Sequence, residues 1–134
     1  MDSQLLLQQF HLKVTPQRLE IVNLLQIKGH ISIEDLFVFL QNKFPSISLA
    51  TIYKNINKMC QKGFLSEVKI PDTKNVYELT KEDHAHIVCT QCGTILDIDI
   101  DISTTLSDVK NTTKFNIVSS SVVFEGICPN CMKI

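Results

Sequence analysis

No stretch of this 134-residue chain approaches the roughly 18 consecutive apolar residues that a membrane-spanning helix needs. The first residues also lack the basic, then apolar, then small-residue order of a secretory leader. Both absences predict a cytoplasmic protein with no membrane partner, in a compartment that keeps thiols reduced. Glycine and proline are scarce, four of each, and there is no repeat or low-complexity segment, so nothing suggests disorder. Hydrophobic residues at 44% and charged residues at 20% describe an ordinary globular chain, long enough for one domain or two small ones. Acidic residues are missing altogether between Asp35 and Glu67, where Lys43, Lys54, Lys58 and Lys62 fall. The net charge of −1 names no polyanionic partner, but its distribution is uneven. Residues 1–80 hold nine Lys/Arg against seven Asp/Glu, and residues 81–134 hold four against seven. A basic surface is therefore expected in the first half.

The first half reads as helices followed by a hairpin. Residues 2–12 suit a short amphipathic helix through Leu5, Leu6 and Phe10. Thr15-Pro16 suits the next start, with Thr15 as N-cap and Pro16 in the first turn, and Gly29 ends that helix. Ser32 to Asp35 has the form of a capping box, opening a third helix that runs toward Lys43 and stops before Pro45. Ser48 caps a fourth, from Leu49 to about Gln61, with Gly63 placed to end it. In that helix Leu49, Ile52, Ile56, Met59 and Cys60 recur at helical spacing, while Thr51, Lys54, Asn55 and Lys58 lie elsewhere. Two extended stretches, 64–70 and 75–79, flank a Pro-Asp-Thr-Lys turn. This order predicts a winged helix-turn-helix domain over residues 1–80. The fourth helix would enter the DNA major groove.

Residues 81–134 change character. Ile87-Val88 and 94–102 read as strands, the latter placing Asp97, Asp99 and Asp101 on one face. A helix is expected from Ser103 and a last strand from Phe115 to Phe124. The result is a small α+β domain with little core of its own, to be completed by metal and by a dimer interface.

The chemistry concentrates in His84-Ala85-His86 and in two C-x-x-C pairs, Cys89/Cys92 and Cys128/Cys131. Four thiolates at about 2.3 Å close a tetrahedral zinc site and leave no position for a substrate. Four unrelated core cysteines would be the bland alternative. A thioredoxin-like redox pair is disfavoured, because neither pair opens a helix in a βαβ unit. Cys60 stands apart. If residues 84–88 form a strand, His84 and His86 project from one face, offering imidazoles to a second metal. His30 and the carboxylates of Glu78, Asp83 and Asp97 are further candidates for it.

The order T-P-Q-R at Thr15–Arg18, S-L-A-T-I-Y-K at Ser48–Lys54 and H-x-H-x-x-C-x-x-C-G at His84–Gly93 resembles the ferric uptake regulator family. With the terminal C-x-x-C, the similarity spans essentially the whole chain. The resemblance implies a dimeric, metal-responsive repressor with an N-terminal winged helix and a C-terminal dimerisation domain. It also implies structural Zn2+ on Cys89, Cys92, Cys128 and Cys131. By position, a regulatory Fe2+ or Mn2+ would be held by His30, Glu78, His84, His86 and Asp97. Asp97 matches the peroxide-sensing branch, where iron sensors usually have Glu; at Glu78, peroxide sensors often have Asp. The peroxide branch implies oxidation of His30 or His84 by hydrogen peroxide in the Fe2+ form, then release of DNA. The alternative is an iron-responsive repressor.

Thr51, Tyr53, Lys54 and Asn55 on the fourth helix, with Gln17 and Arg18 beside it, are the expected contacts to a double-stranded operator of inverted-repeat half-sites. Lysine and arginine neutralise phosphates, and asparagine can pair with adenine. An enzyme of the zinc hydrolase or deaminase class is the competing function. The deaminase pattern joins H-x-E to P-C-x-x-C, and His84-Ala85-His86 lacks that glutamate. A thiol-switch protein is a third possibility.

Overall fold

Side chains that accept a backbone N–H open each of the first four helices, which removes one orphan donor apiece and stabilises each start by about 1 kcal/mol. The computed structural model describes residues 1–133. Asp2 precedes α1 (Ser3–Gln9), with its Oδ1 2.9 Å from the Gln4 N–H. Thr15 caps α2 (Pro16–Lys28), and Ser32 caps α3 (Ile33–Lys43). Ser48 caps α4 (Leu49–Gln61), accepting from the Thr51 N–H at 3.1 Å. Gly29 ends α2 at a φ of 82°, a conformation that costs other residues strain. A hairpin follows, β1 (Leu65–Val68) antiparallel to β2 (Val76–Leu79), in the register Leu65 to Leu79.

The chain divides into two compact units, Met1–Lys81 and Glu82–Ile134. The first holds the large core. Ile21, Val22 and Leu25 of α2, Leu36 and Leu40 of α3, and Ile52, Ile56 and Met59 of α4 are buried together, with Leu7 and Leu12 closing one side. Phe10 and Phe64 meet edge to face at 5.1 Å. The helix order and hairpin are those of a winged helix-turn-helix, as expected. α1 is shorter than the sequence predicts: His11 takes a left-handed φ of 57°, which turns the chain and folds Leu12 back onto the core. Its buried residues are Ser3 and Leu7, while Leu5 is exposed.

The second unit is a three-stranded sheet ordered β4-β3-β5, with two helices. β3 (Ala85–Cys89) runs antiparallel to β4 (Ile95–Ile98) and parallel to β5 (Val123–Gly126). α5 (Ser103–Thr113) separates β4 from β5, and α6 (Pro129–Met132) carries the last cysteine pair. The α+β class holds, but two strands differ from expectation. β4 stops at Ile98 because Asp101 turns to accept the Ser103 N–H at 2.9 Å, starting α5, so only Asp97 of the three aspartates lies in a strand. Segment 115–122 forms no strand. Lys114 ends α5 in a left-handed conformation at φ 61°, and pairing resumes at Val123. No residue of α5 is buried, and Leu96, Phe115, Val118 and Phe124 are exposed, so this unit has little interior of its own. Among the described residues, no helix is long and apolar enough to cross a membrane.

Candidate metal centres and DNA-reading surface

The strongest cluster lies within the second unit. Cys89 ends β3 and Cys92 lies in the turn after it, and α6 with its N-cap carries Cys128 and Cys131. The pairing of β3 with β5 in register Cys89 to Gly126 delivers the second pair to the first. All four sulfurs lie within 4.8 Å of one another. Cys92 and Cys128 are 3.8 Å apart, Sγ to Sγ. That is far beyond the roughly 2.05 Å of a disulfide, and it equals the edge, about 3.8 Å, of a tetrahedron of 2.3 Å zinc–sulfur bonds. Backbone N–H groups point at the sulfurs: Cys92 and Cys128 donate to Cys89 at 3.5 and 3.3 Å, and Cys131 donates to Cys128 at 3.4 Å. These donors favour thiolate and hold Cys89 down at about 6. The Thr94 hydroxyl, 3.1 Å away, lowers Cys92. Hydrogen bonds to Cys128, Cys89 and Cys92 push Cys131 up to about 12, so without metal the cluster retains a proton. A compact four-sulfur set with built-in thiolate stabilisation fits Zn2+.

Two further groups of candidate ligands each lie within one unit. In the first, an isolated antiparallel bridge joins Ile31 to Tyr77, with N–H···O distances of 3.1 and 2.9 Å. That register sets His30 opposite Glu78, and His30 Nε2 lies 3.0 Å from Glu78 Oε2. Glu78 is buried and the His30 side chain is 9% exposed, an environment that charged groups tolerate only when paired or metal-bound.

In the second, β3 and β4 set His86 opposite Asp97. His84, one residue before β3, lies on the same side as His86: their Nε2 atoms are 3.0 Å apart. Asp97 Oδ1 is 3.3 Å from His86 Nε2 and 3.6 Å from His84 Nε2. Such separations match neighbouring donors around a cation with bonds of about 2.1 Å, which are roughly 3.0–3.6 Å apart from octahedral to trigonal arrangements. His84 Nδ1 is 2.8 Å from the Glu82 carbonyl and must donate to it, which leaves the Nε2 lone pair directed at the cluster. This carbonyl orients the His84 imidazole, and sequence reading missed it because no side chain signals it. Imidazole and carboxylate donors suit Mn2+, Fe2+ or Zn2+ alike.

On α4, Thr51, Tyr53 and Lys54 are exposed. Gln17 shares a shallow groove with Thr51, Lys43 and Ser48. Tyr53 lines a hollow with Lys74, Asn75 and Tyr77, beside the hairpin. Arg18 and Asn55 are half-buried and bonded to each other, Arg18 Nε to Asn55 Oδ1 at 3.0 Å. Behind this surface, burial and the Glu67 carboxylate, 3.1 Å from its hydroxyl, push Tyr77 up to about 12. Burial, then Glu67, raises Cys60, so this thiol stays protonated and inert.

A winged helix-turn-helix joined to a small domain with a four-thiolate zinc set and histidine–carboxylate ligands defines a metal-dependent DNA-binding regulator. The chain belongs to the ferric uptake regulator family, whose model matches residues 9–125. It is 34% identical over 137 residues to the ferric uptake regulation protein of Bordetella parapertussis, covering 99% of each chain. Its fold matches the crystal structure of the Vibrio cholerae ferric uptake regulator with a TM-score of 0.74 at 30% identity, covering 95% of this chain and all of that one. It also matches the Campylobacter jejuni peroxide stress regulator with a TM-score of 0.71 at 31% identity, covering 98% and 100%. Members of the family are transcription regulators rather than enzymes. Iron-named and peroxide-named relatives stand at similar identity, so kinship does not choose the stimulus.

Proposed function

We propose that this chain is a cytoplasmic homodimeric repressor that releases its operator when hydrogen peroxide oxidises a ligand histidine. The observation that carries the peroxide assignment is the short carboxylate of Asp97 set against His84 and His86, because the resemblance places aspartate there in peroxide sensors. His30 and Glu78 of the first unit, with His84, His86 and Asp97 of the second, serve one regulatory metal. Bound to them, Fe2+ would supply one-electron chemistry toward peroxide that Mn2+ does not.

The chain's own residues do the rest. Ligands drawn from both units fix the winged helices in one arrangement, and only that arrangement fits two half-sites on consecutive major grooves. α4 presents Lys54 to phosphates and Thr51 and Tyr53 to the groove. Hydrogen peroxide gives one oxygen to an imidazole carbon of His30 or His84 and leaves as water. The altered ring would be a poorer ligand, and a chain that no longer holds the metal would release the DNA. Cys89, Cys92, Cys128 and Cys131 keep their zinc throughout. Dimerisation through the second unit is supported by its exposed Leu96, Phe124 and Ile127.

An iron-responsive repressor is the second possibility, favoured by Glu78, where peroxide sensors often carry aspartate. One experiment separates them. The Fe2+-loaded chain is expected to lose DNA binding within minutes in low-micromolar peroxide while the Mn2+-loaded chain keeps it. Mass spectrometry should find one added oxygen on the peptide of His30 or His84 and unmodified zinc cysteines. Asp97→Glu should bind DNA with Fe2+ and resist peroxide. Cysteine oxidation preceding DNA release would favour a thiol switch, and an unresponsive Fe2+ form would make the protein an iron sensor.

A further inference from the structure

Asparagine reads adenine with both ends of its carboxamide, so a base-reading Asn55 would need both atoms directed outward. Neither is. Its Oδ1 accepts from Arg18 Nε at 3.0 Å, and its Nδ2 donates to the Thr51 carbonyl of its own helix at 3.1 Å. Arg18 is held at a second point, Nη1 donating to the Lys13 carbonyl at 3.0 Å. Its backbone is also fixed, since the Arg18 N–H is the donor that Thr15 caps at 3.2 Å. The guanidinium is thus tied to α4 and to the loop before α2, while the backbone that carries it is fixed by the cap of α2. A guanidinium carries five N–H donors, and two are used inside, at Asn55 and Lys13. The others remain for an acceptor outside the chain.

Resting on the DNA-binding role, we infer that Asn55 is a positioning residue that holds Arg18 ready for a DNA phosphate, and is not a reader of bases. A free arginine loses rotamer freedom when it grips a phosphate, and a pre-anchored one has already lost it. The gain is independent of sequence, because phosphates carry no base identity. Asn55 is well placed for this task. It sits one turn after Thr51, so its amide is locked by its own helix, and it aims a single oxygen at Nε. The local field suits the phosphate too, since no acid occurs between Asp35 and Glu67.

The test uses the full-length Mn2+-loaded chain, a duplex enriched from a random pool by the wild type, and a scrambled duplex of the same composition. Asn55→Ala should weaken both duplexes by the same factor, about three- to tenfold, the range for freezing one long side chain. Arg18→Ala should weaken both at least as much, and adding Asn55→Ala to it should change nothing further. In Arg18→Lys, which keeps charge but has no Nε–H, Asn55→Ala should again be silent. The DNA-free wild type should show a slowly exchanging Arg18 Nε–H resonance that Asn55→Ala abolishes. Asn55→Ser repeats the series should the alanine variant fail to fold. A loss confined to the enriched duplex, multiplicative losses in the double variant, or a fast-exchanging Nε–H in the wild type would each overturn the assignment. A wild type that enriches no duplex would instead bring down the DNA-binding role itself.

Discussion

Stripping the zinc should unfold the second unit and leave the first intact. In the first unit, Ile21, Val22, Leu36, Leu40, Ile52, Ile56 and Met59 are all buried in one core. In the second, the buried apolar residues among those described are Ala85, Val88 and Cys89, and α5 buries none. The sulfurs, all within 4.8 Å of one another, join the turn after β3 to α6, a helix of only four residues that cannot persist alone. Structural zinc contributes about 10–16 kcal/mol in small domains, and whole domains are stable by about 5–15 kcal/mol. Loss of the metal therefore removes as much free energy as such a unit has in total. Hydrogen exchange should show β3 and β5 amides exposed after treatment with a strong zinc chelator, with α4 amides still protected. Sedimentation should show monomers. Cys131→Ser should reproduce both results with one zinc fewer per chain. A zinc-free chain that stays dimeric with protected β3 amides would refute the reasoning, because the sheet would then be holding itself.

Lys54→Ala should weaken specific and random duplexes alike and lower the slope of log affinity against log salt by about one, as expected for one lost phosphate contact. Gel shifts at two salt concentrations measure this, and an unchanged affinity removes α4 from the groove. Tyr77 gives a pH test. Its folded value is raised from 10.0 to about 12, so its stabilisation is complete while the phenol is neutral in both states, below the unfolded value. Stability should fall as pH rises from 10 through about 12, and Tyr77→Phe should flatten that fall in denaturant titrations of the first unit.

What the sequence disclosed depended on how local the signal was. Thr15, Ser32 and Ser48 each cap a helix because the donor lies three residues on, so the helix starts were legible in a few letters. The cysteine pairs were legible for the same reason, with Gly93 turning the chain at φ 80°. Strand ends were not. Ile98, Ile100 and Ile102 alternate as a strand should, yet Asp101 ends the pairing by bonding to the Ser103 N–H, and alternation cannot report that competition. The same limit hid the break between Phe115 and Val123.

The proposed metal ligands lie between these extremes. His84 and His86 were visible as a pair because a strand puts i and i+2 on one side, whereas the 3.0 Å between their Nε2 atoms also involves the Glu82 carbonyl that orients His84. His30 and Glu78 are 48 positions apart in the chain, and they meet because one pair of backbone bonds ties Ile31 to Tyr77. That bridge sets a register, and in an antiparallel register the residue before one partner faces the residue after the other. Gly29 makes it possible by ending α2 one residue before His30. A resemblance could point to His30 and Glu78 by position, whereas their adjacency is a property of the bridge. The Arg18–Asn55 bond is of the same kind. It depends on how α2 packs against α4, and so changes the expected role of Asn55 from reading a base to holding an arginine.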